Sequence, residues 1–202
     1  MQSPITLLLI AVTTIVSLFA FRSPSVAGRL ILWPPAIDRY KQYDRFIGYG
    51  LIHADLWHLL FNMVTLYFIG SFMERMVAEI SGRAWVYPLF YLSALVVSIL
   101  PTYLKHQKDA DYRALGASGA VSALLFGFIL LQPWTWLIVF VIPMPAILFA
   151  VLYVAYSIWM DRRGNTSIAH GAHLAGAAYG VLFMIAMEPR IVPHFLGQLG
   201  VG

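Results

Sequence analysis

Two side chains in this sequence, Ser118 and His173, could together make a nucleophile, and two more, His58 and Asn62, could hold a developing negative charge. A serine hydroxyl attacks a carbonyl only when a base takes its proton, and imidazole is the side chain whose basicity suits that task near neutral pH. His58 and Asn62 stand four positions apart, which on a helix puts them on one face. An imidazole and a carboxamide there can donate hydrogen bonds to a common point, the chemistry of an oxyanion hole. Each pattern alone also has an ordinary reading. H-x-x-x-N can bond helix to helix, and a serine among glycines can be a packing residue bonded to a carbonyl. The hydrolase elbow G-x-S-x-G is not matched, because 116–120 reads Gly-Ala-Ser-Gly-Ala.

Whether these groups meet depends on the elements that carry them. Apolar residues make up 60% of the 202, aromatics 15% and charged residues 11%, a composition suited to a bilayer rather than to water. There is no cysteine, which removes disulfides, thiolate catalysis and thiolate metal sites together. A net charge of +4 could suggest nucleic acid, but the basic residues lie in short loops between apolar runs, where interfacial anchoring explains them; no nucleic-acid partner is expected. A helix needs about 20 apolar residues to cross the hydrocarbon core. Six such stretches are expected, near 5–21, 56–72, 84–104, 114–131, 137–160 and 168–187. The first lacks the basic start of a signal peptide and reads as a retained span.

The break between the fourth and fifth spans falls at Gln132-Pro133, and Pro143 and Pro145 should kink or locally unwind the fifth. Of the tryptophans, Trp57, Trp85, Trp134, Trp136 and Trp159 lie at span ends and Trp33 does not, as an interfacial belt requires of most. The first loop, 22–51, carries Trp33, Pro34, Pro35, Tyr40, Tyr43 and Phe46 and is too aromatic for a solvated linker. It is expected to be a structured, membrane-associated element. The fold expected is an all-α polytopic membrane protein of one domain over 1–202.

Polar groups inside spans mark function, because an unpaired one costs several kcal/mol there. Every acid, including Glu74 and Asp161, is expected in a loop or at a helix end, which argues against proton-coupled transport and an aspartyl protease. His170 and His173 have no nearby acid to complete an H-E-x-x-H site, so no metal and no cofactor is expected. His58, Asn62, Ser118, Ser122, His170 and His173 remain, all near the starts of even-numbered spans and hence in one leaflet. Gly116, Ala120, Ala123 and Gly127 form a small-residue stripe on the fourth span, and Ala169, His173, Gly176, Ala177 and Gly180 another on the sixth. Helices so lined can pack closely, which would bring His173, rather than His170, to Ser118.

The joint pattern resembles the rhomboid family of intramembrane proteases, in its six-helix prokaryotic-type form. It rests on His58-x-x-x-Asn62, on Gly116-Ala117-Ser118-Gly119, and on Ala172-His173-Leu174-Ala175-Gly176, in that order on the second, fourth and sixth spans. The resemblance implies a serine endopeptidase cutting transmembrane segments of protein substrates, with Ser118 as nucleophile, His173 as general base and no carboxylate member. It implies an oxyanion site from His58, Asn62 and the backbone of Ala117 and Ser118, with Gly116, Gly119, Gly176 and Gly180 keeping the helices close. Phe61 would correspond to a gate, and residence would be the inner membrane of a prokaryotic cell. Two departures stand out: Tyr43-Asp44-Arg45-Phe46 keeps Arg45 of a Trp-Arg pair but lacks the Trp, and Ser122 stands where some relatives stack an aromatic ring on the catalytic histidine. The alternatives are an inactive rhomboid-like binding protein and, less favoured by the acid-free interior, a small transporter.

Orientation divides the indications. With a cytoplasmic N-terminus the inside loops hold only Arg75, Arg83 and Arg190, while Arg22, Arg29, Arg39, Lys41, Arg45, Lys105, Lys108, Arg113, Arg162 and Arg163 lie outside. The positive-inside rule favours the reverse. The resemblance implies cytoplasmic termini and an active site that opens outward.

Overall fold

The structure, a computed structural model, describes residues 3–139, 141–163 and 169–201. Ile168, the expected start of the last span, and Phe140 within the fifth lie outside the described residues. Helices α1 (Pro4–Arg22), α2 (Pro24–Leu30), α3 (Pro34–Tyr40) and α4 (Arg45–Gly48) come first, followed by α5 (Leu56–Thr65), α6 (Ser71–Ser81) and α7 (Val86–Lys105). Then come α8 (Ser118–Leu131), the strands β1 (Trp136–Val139) and β2 (Ile142–Pro145), and α9 (Ala146–Arg163), α10 (His170–Met187) and α11 (Ile191–Gln198).

The first helix shows which solvent the chain expects. Thr6, Thr13 and Ser17 are buried on α1, while Leu8 and Phe19 are more than 60% exposed. That is inside-out for water and ordinary for lipid, where small and polar residues bond helix to helix and apolar ones face the acyl chains. Glu74 follows the same logic. It is buried rather than held at a solvated helix end, and its carboxylate accepts from the N–H groups of Ile5 and Thr6 at 3.1 and 2.7 Å, closing the start of α1.

The first loop is folded throughout. Leu32 bridges to Ala114, Arg113 stacks on the Trp33 ring at 4.3 Å, and the Trp33 indole N–H donates to Ala110 O. Arg45 is buried and donates to the carbonyls of Gly28 and Ile31, at 2.9 and 2.6 Å, and to Gln42. It thus closes the C-terminus of α2, where carbonyls have no helical partner.

Among the described residues, four helical segments are long and apolar enough to cross a membrane: α1, α5 to α6 as one helix over Leu56–Ser81, α7 and α10. A π turn, Leu66–Gly70, joins α5 to α6. The helix carrying Ser118, α8, is shorter. At 14 residues it is about 21 Å long, less than the hydrocarbon thickness. All its residues but Ser118 and Phe126 are buried, because α10, α7 and the Leu66–Gly70 turn pack around it.

The fifth expected span is where the fold differs most. Residues 136–145 form an antiparallel hairpin, with Trp136 opposite Pro145 and Val139 opposite Ile142. Neither Pro143 nor Pro145 can donate an N–H, so a helix through them would lose two bonds and suffer two clashes. A two-stranded ribbon, all edge, tolerates both. The helix therefore begins at Ala146 rather than near 137, and one short hairpin interrupts a structure that is otherwise mostly helical, as an all-α membrane protein is.

Candidate active site

The site is built where the first turns of α5, α8 and α10 meet. Asp55 caps α5 by accepting from the His58 N–H at 2.8 Å. The chain reaches α8 through Gly116, whose φ of +112° only glycine holds without strain. A Cβ on Gly116 would stand 2.7 Å from His58 Cε1 and 2.9 Å from Nε2, so the turn before Ser118 lies against the His58 ring. The other ring nitrogen, Nδ1, accepts from the Ala54 N–H at 3.5 Å, which leaves Nε2 as the donor. Asn62 is buried, and its carboxamide donates to His58 O at 2.9 Å, so one of its N–H bonds is already engaged on its own helix.

Ser118 is the first residue of α8, and its Oγ lies 2.6 Å from His173 Nε2 on α10. Fifty-five positions separate them; backbone contact brings them together. A Cβ on Gly176 would lie 2.1 Å from Gly119 O, and one on Gly180 2.0 Å from Ala123 O, so α8 and α10 touch main chain to main chain. Gly119 in turn faces Ser98 Oγ of α7. Among the described residues no side chain caps α8, so its first N–H groups and the positive end of its dipole remain at Ser118.

Three features of the site were not visible in the sequence. The Ala117 N–H, expected to face an oxyanion, donates instead to His53 Nε2 at 3.4 Å. His53 Nδ1 meets Ser17 Oγ at 3.0 Å, and Ser17 donates to Leu51 O, so a relay ties α1 to the turn before Ser118. Burial pushes the His53 imidazole down to about 3, with His58 opposing its charge and Asp55 favouring it; it therefore stays neutral and keeps its accepting lone pair. The third feature answers the Ser122 departure. Tyr153 of α9 stacks on the His173 ring, with centroids 6.2 Å apart and planes 18° apart. The Tyr153 hydroxyl meets Ser122 Oγ at 2.6 Å, and Phe126 and Phe149 flank the ring. Only the polar Ser122, in a run otherwise apolar, hinted at a partner. Phe61 is exposed on α5, stacked with Trp57 and outside the convergence of Ser118, His173 and His58.

The arrangement supplies a hydroxyl, a base 2.6 Å away, a stacked ring holding that base, and an imidazole donor beside the helix start. Such a set can activate the oxygen and stabilise the anion that follows attack on a carbonyl.

Residues 40–190 match the family model described as "Rhomboid domain". Among curated proteins the chain is similar to "RHOMBOID-like protein 12, mitochondrial" of Arabidopsis thaliana, at 33% identity over 166 residues covering 73% of this chain and 48% of that protein. It is similar also to "Rhomboid-related protein 1" of Caenorhabditis elegans, at 28% identity over 77% of this chain and 43% of that protein. The chain thus spans about half the length of these relatives.

Proposed function

Because this chain belongs to the rhomboid family, we propose that it is an intramembrane serine protease, with Ser118 as nucleophile and His173 as general base. The observation that carries this reading is the 2.6 Å approach of Ser118 Oγ to His173 Nε2 across two helices held in main-chain contact. His173 takes the hydroxyl proton as Ser118 attacks the scissile carbonyl, then gives it to the departing amine, leaving an acyl ester on Ser118. Developing negative charge on the carbonyl oxygen would be met by His58 Nε2–H, by the second N–H of Asn62 and by the backbone N–H of Ser118 at the positive end of α8. The Ala117 N–H is left out of this set, since it serves His53.

The substrate class is a transmembrane protein segment, and the enzyme is a multi-pass protein of, on the sequence resemblance, a prokaryotic inner membrane. In this reading α8 and α9 join the four long apolar helices to complete a six-helix core within one domain. An enclosed α8 supports this, because a helix walled by protein need not match the bilayer thickness. Phe61 on the lipid-facing side of α5 is proposed to influence substrate access. No metal takes part, so a chelator is expected to leave the rate unchanged.

The test is cleavage of a model transmembrane substrate by purified protein. Ser118→Ala and His173→Ala should each abolish turnover while melting at the wild-type temperature. Asn62→Ala should slow it partially, within the roughly 2.7–4 kcal/mol that one oxyanion donor supplies. Normal turnover by either of the first two variants contradicts the proposal.

A further inference from the structure

Hydrolysis of an acyl ester needs a water molecule beside His173, and the mechanism so far assigns nothing to hold one. His170, the first residue of α10, is only 3% exposed. Neither its Nδ1 nor its Nε2 finds a hydrogen-bond partner among the described residues. A neutral imidazole carries one N–H and one lone pair, and burying both unpaired costs several kcal/mol. A polar site of this kind is where a buried water belongs. Its ring lies beside that of the proposed base. The His170 ring stands edge-on to His173 with centroids 5.9 Å apart, and edge-on to Tyr156 at 5.6 Å. At the adjacent Gly171, a Cβ would lie 3.2 Å from Asp161 Oδ1 and 3.4 Å from Thr102 Oγ1. Asp161 also lies 3.9 Å from Lys105 Nζ at the exposed end of α7. Polar groups at the ends of α7 and α9 therefore lie against the residue that follows this imidazole.

We propose that His170 is a water-binding residue that delivers the hydrolytic water to the acyl-enzyme, an inference that rests on the protease reading above. The water oxygen attacks the ester carbonyl on Ser118 while His173 Nε2 takes one of its protons. The resulting tetrahedral adduct expels Ser118 Oγ, which recovers the proton from His173, and the new carboxylic acid leaves. His170 binds the water through its own N–H or lone pair and exchanges no proton in the balance. Its effect falls on deacylation alone, since acylation consumes no water.

The experiment compares wild type with His170→Phe and His170→Asn, using the purified full chain, a fluorophosphonate probe and a model transmembrane substrate. His170→Phe should react with the probe within about twofold of the wild-type rate, yet turn over substrate about tenfold more slowly and accumulate acid-trappable acyl-enzyme after a burst. His170→Asn, which keeps a donor and an acceptor, should recover most of the turnover. Wild-type turnover by His170→Phe overturns the proposal, as does a parallel fall in labelling and turnover. If melting shows that His170→Phe does not fold, His170→Leu is read by the same criteria. A wild-type protein that neither reacts with the probe nor cleaves sinks the protease reading itself, and this inference with it.

Discussion

His173 is held from two sides, by Ser118 through a hydrogen bond and by Tyr153 through its ring face, and Tyr153 is itself tied to Ser122. A serine on α8 thus fixes an aromatic side chain supplied by α9. If the stacking positions the base, the ring matters more than its hydroxyl. Tyr153→Phe should retain turnover within about threefold, whereas Tyr153→Ala should lower kcat by about tenfold, on the order of 1.4 kcal/mol, with KM and melting temperature little changed. Equal activities for the two variants would make the ring a packing residue only. Ser118, His173, His58 and Asn62 stood out as candidates in the sequence because polar groups are scarce in apolar spans and each carried local spacing. Tyr153 could not, because it is one aromatic among many and its direction depends on where α9 begins. His53 escaped notice for a related reason: it lies just before a helix, and its partners Ser17 and Ala117 are 36 and 64 positions away.

At the scale of elements, the contact between α8 and α10 sets the distance between Ser118 and His173. Gly176→Ala would place a methyl group 2.1 Å from Gly119 O, and neither backbone can yield without moving Ser118 or His173. Overpacking of this kind costs about 1–3 kcal/mol. A lowered melting temperature together with lost turnover is therefore expected, unlike Ser118→Ala, which loses only turnover. A Gly176→Ala variant of wild-type stability and activity would show the helices to be looser than the geometry implies. The matched stripes of small residues announced this contact, since few other patterns let main chains touch. The hairpin at 136–145 was hidden by its own composition: Trp136, Leu137, Ile138 and Val139 are as apolar as a span, and periodicity does not separate a short apolar strand from a buried helix. The two prolines argued for irregularity there, but not for its form.

For the whole molecule, the folding of the first loop bears on orientation. Arg45 bonds the carbonyls of α2, Arg29 pairs with Asp44 at 2.6 Å, and Arg113 lies on Trp33, so these charges are committed within the protein or its interface and weigh less as topological signals. The lowered pKa of Asp44 beside Arg29 has the same cause. With cytoplasmic termini, a cysteine replacing Arg162 should react with a membrane-impermeant thiol reagent in intact cells, and one replacing Ala84 should not; the chain has no cysteine to interfere. The reverse pattern would return the decision to the charge rule. The central claim, that the Ser118 hydroxyl is activated by His173, is tested most directly by the fluorophosphonate reaction followed by mass spectrometry of the adduct. The account predicts a single modified residue, Ser118, in folded wild-type protein, with the adduct lost in His173→Ala. An unreactive Ser118, or a Ser118 that reacts at the wild-type rate without His173, would contradict it.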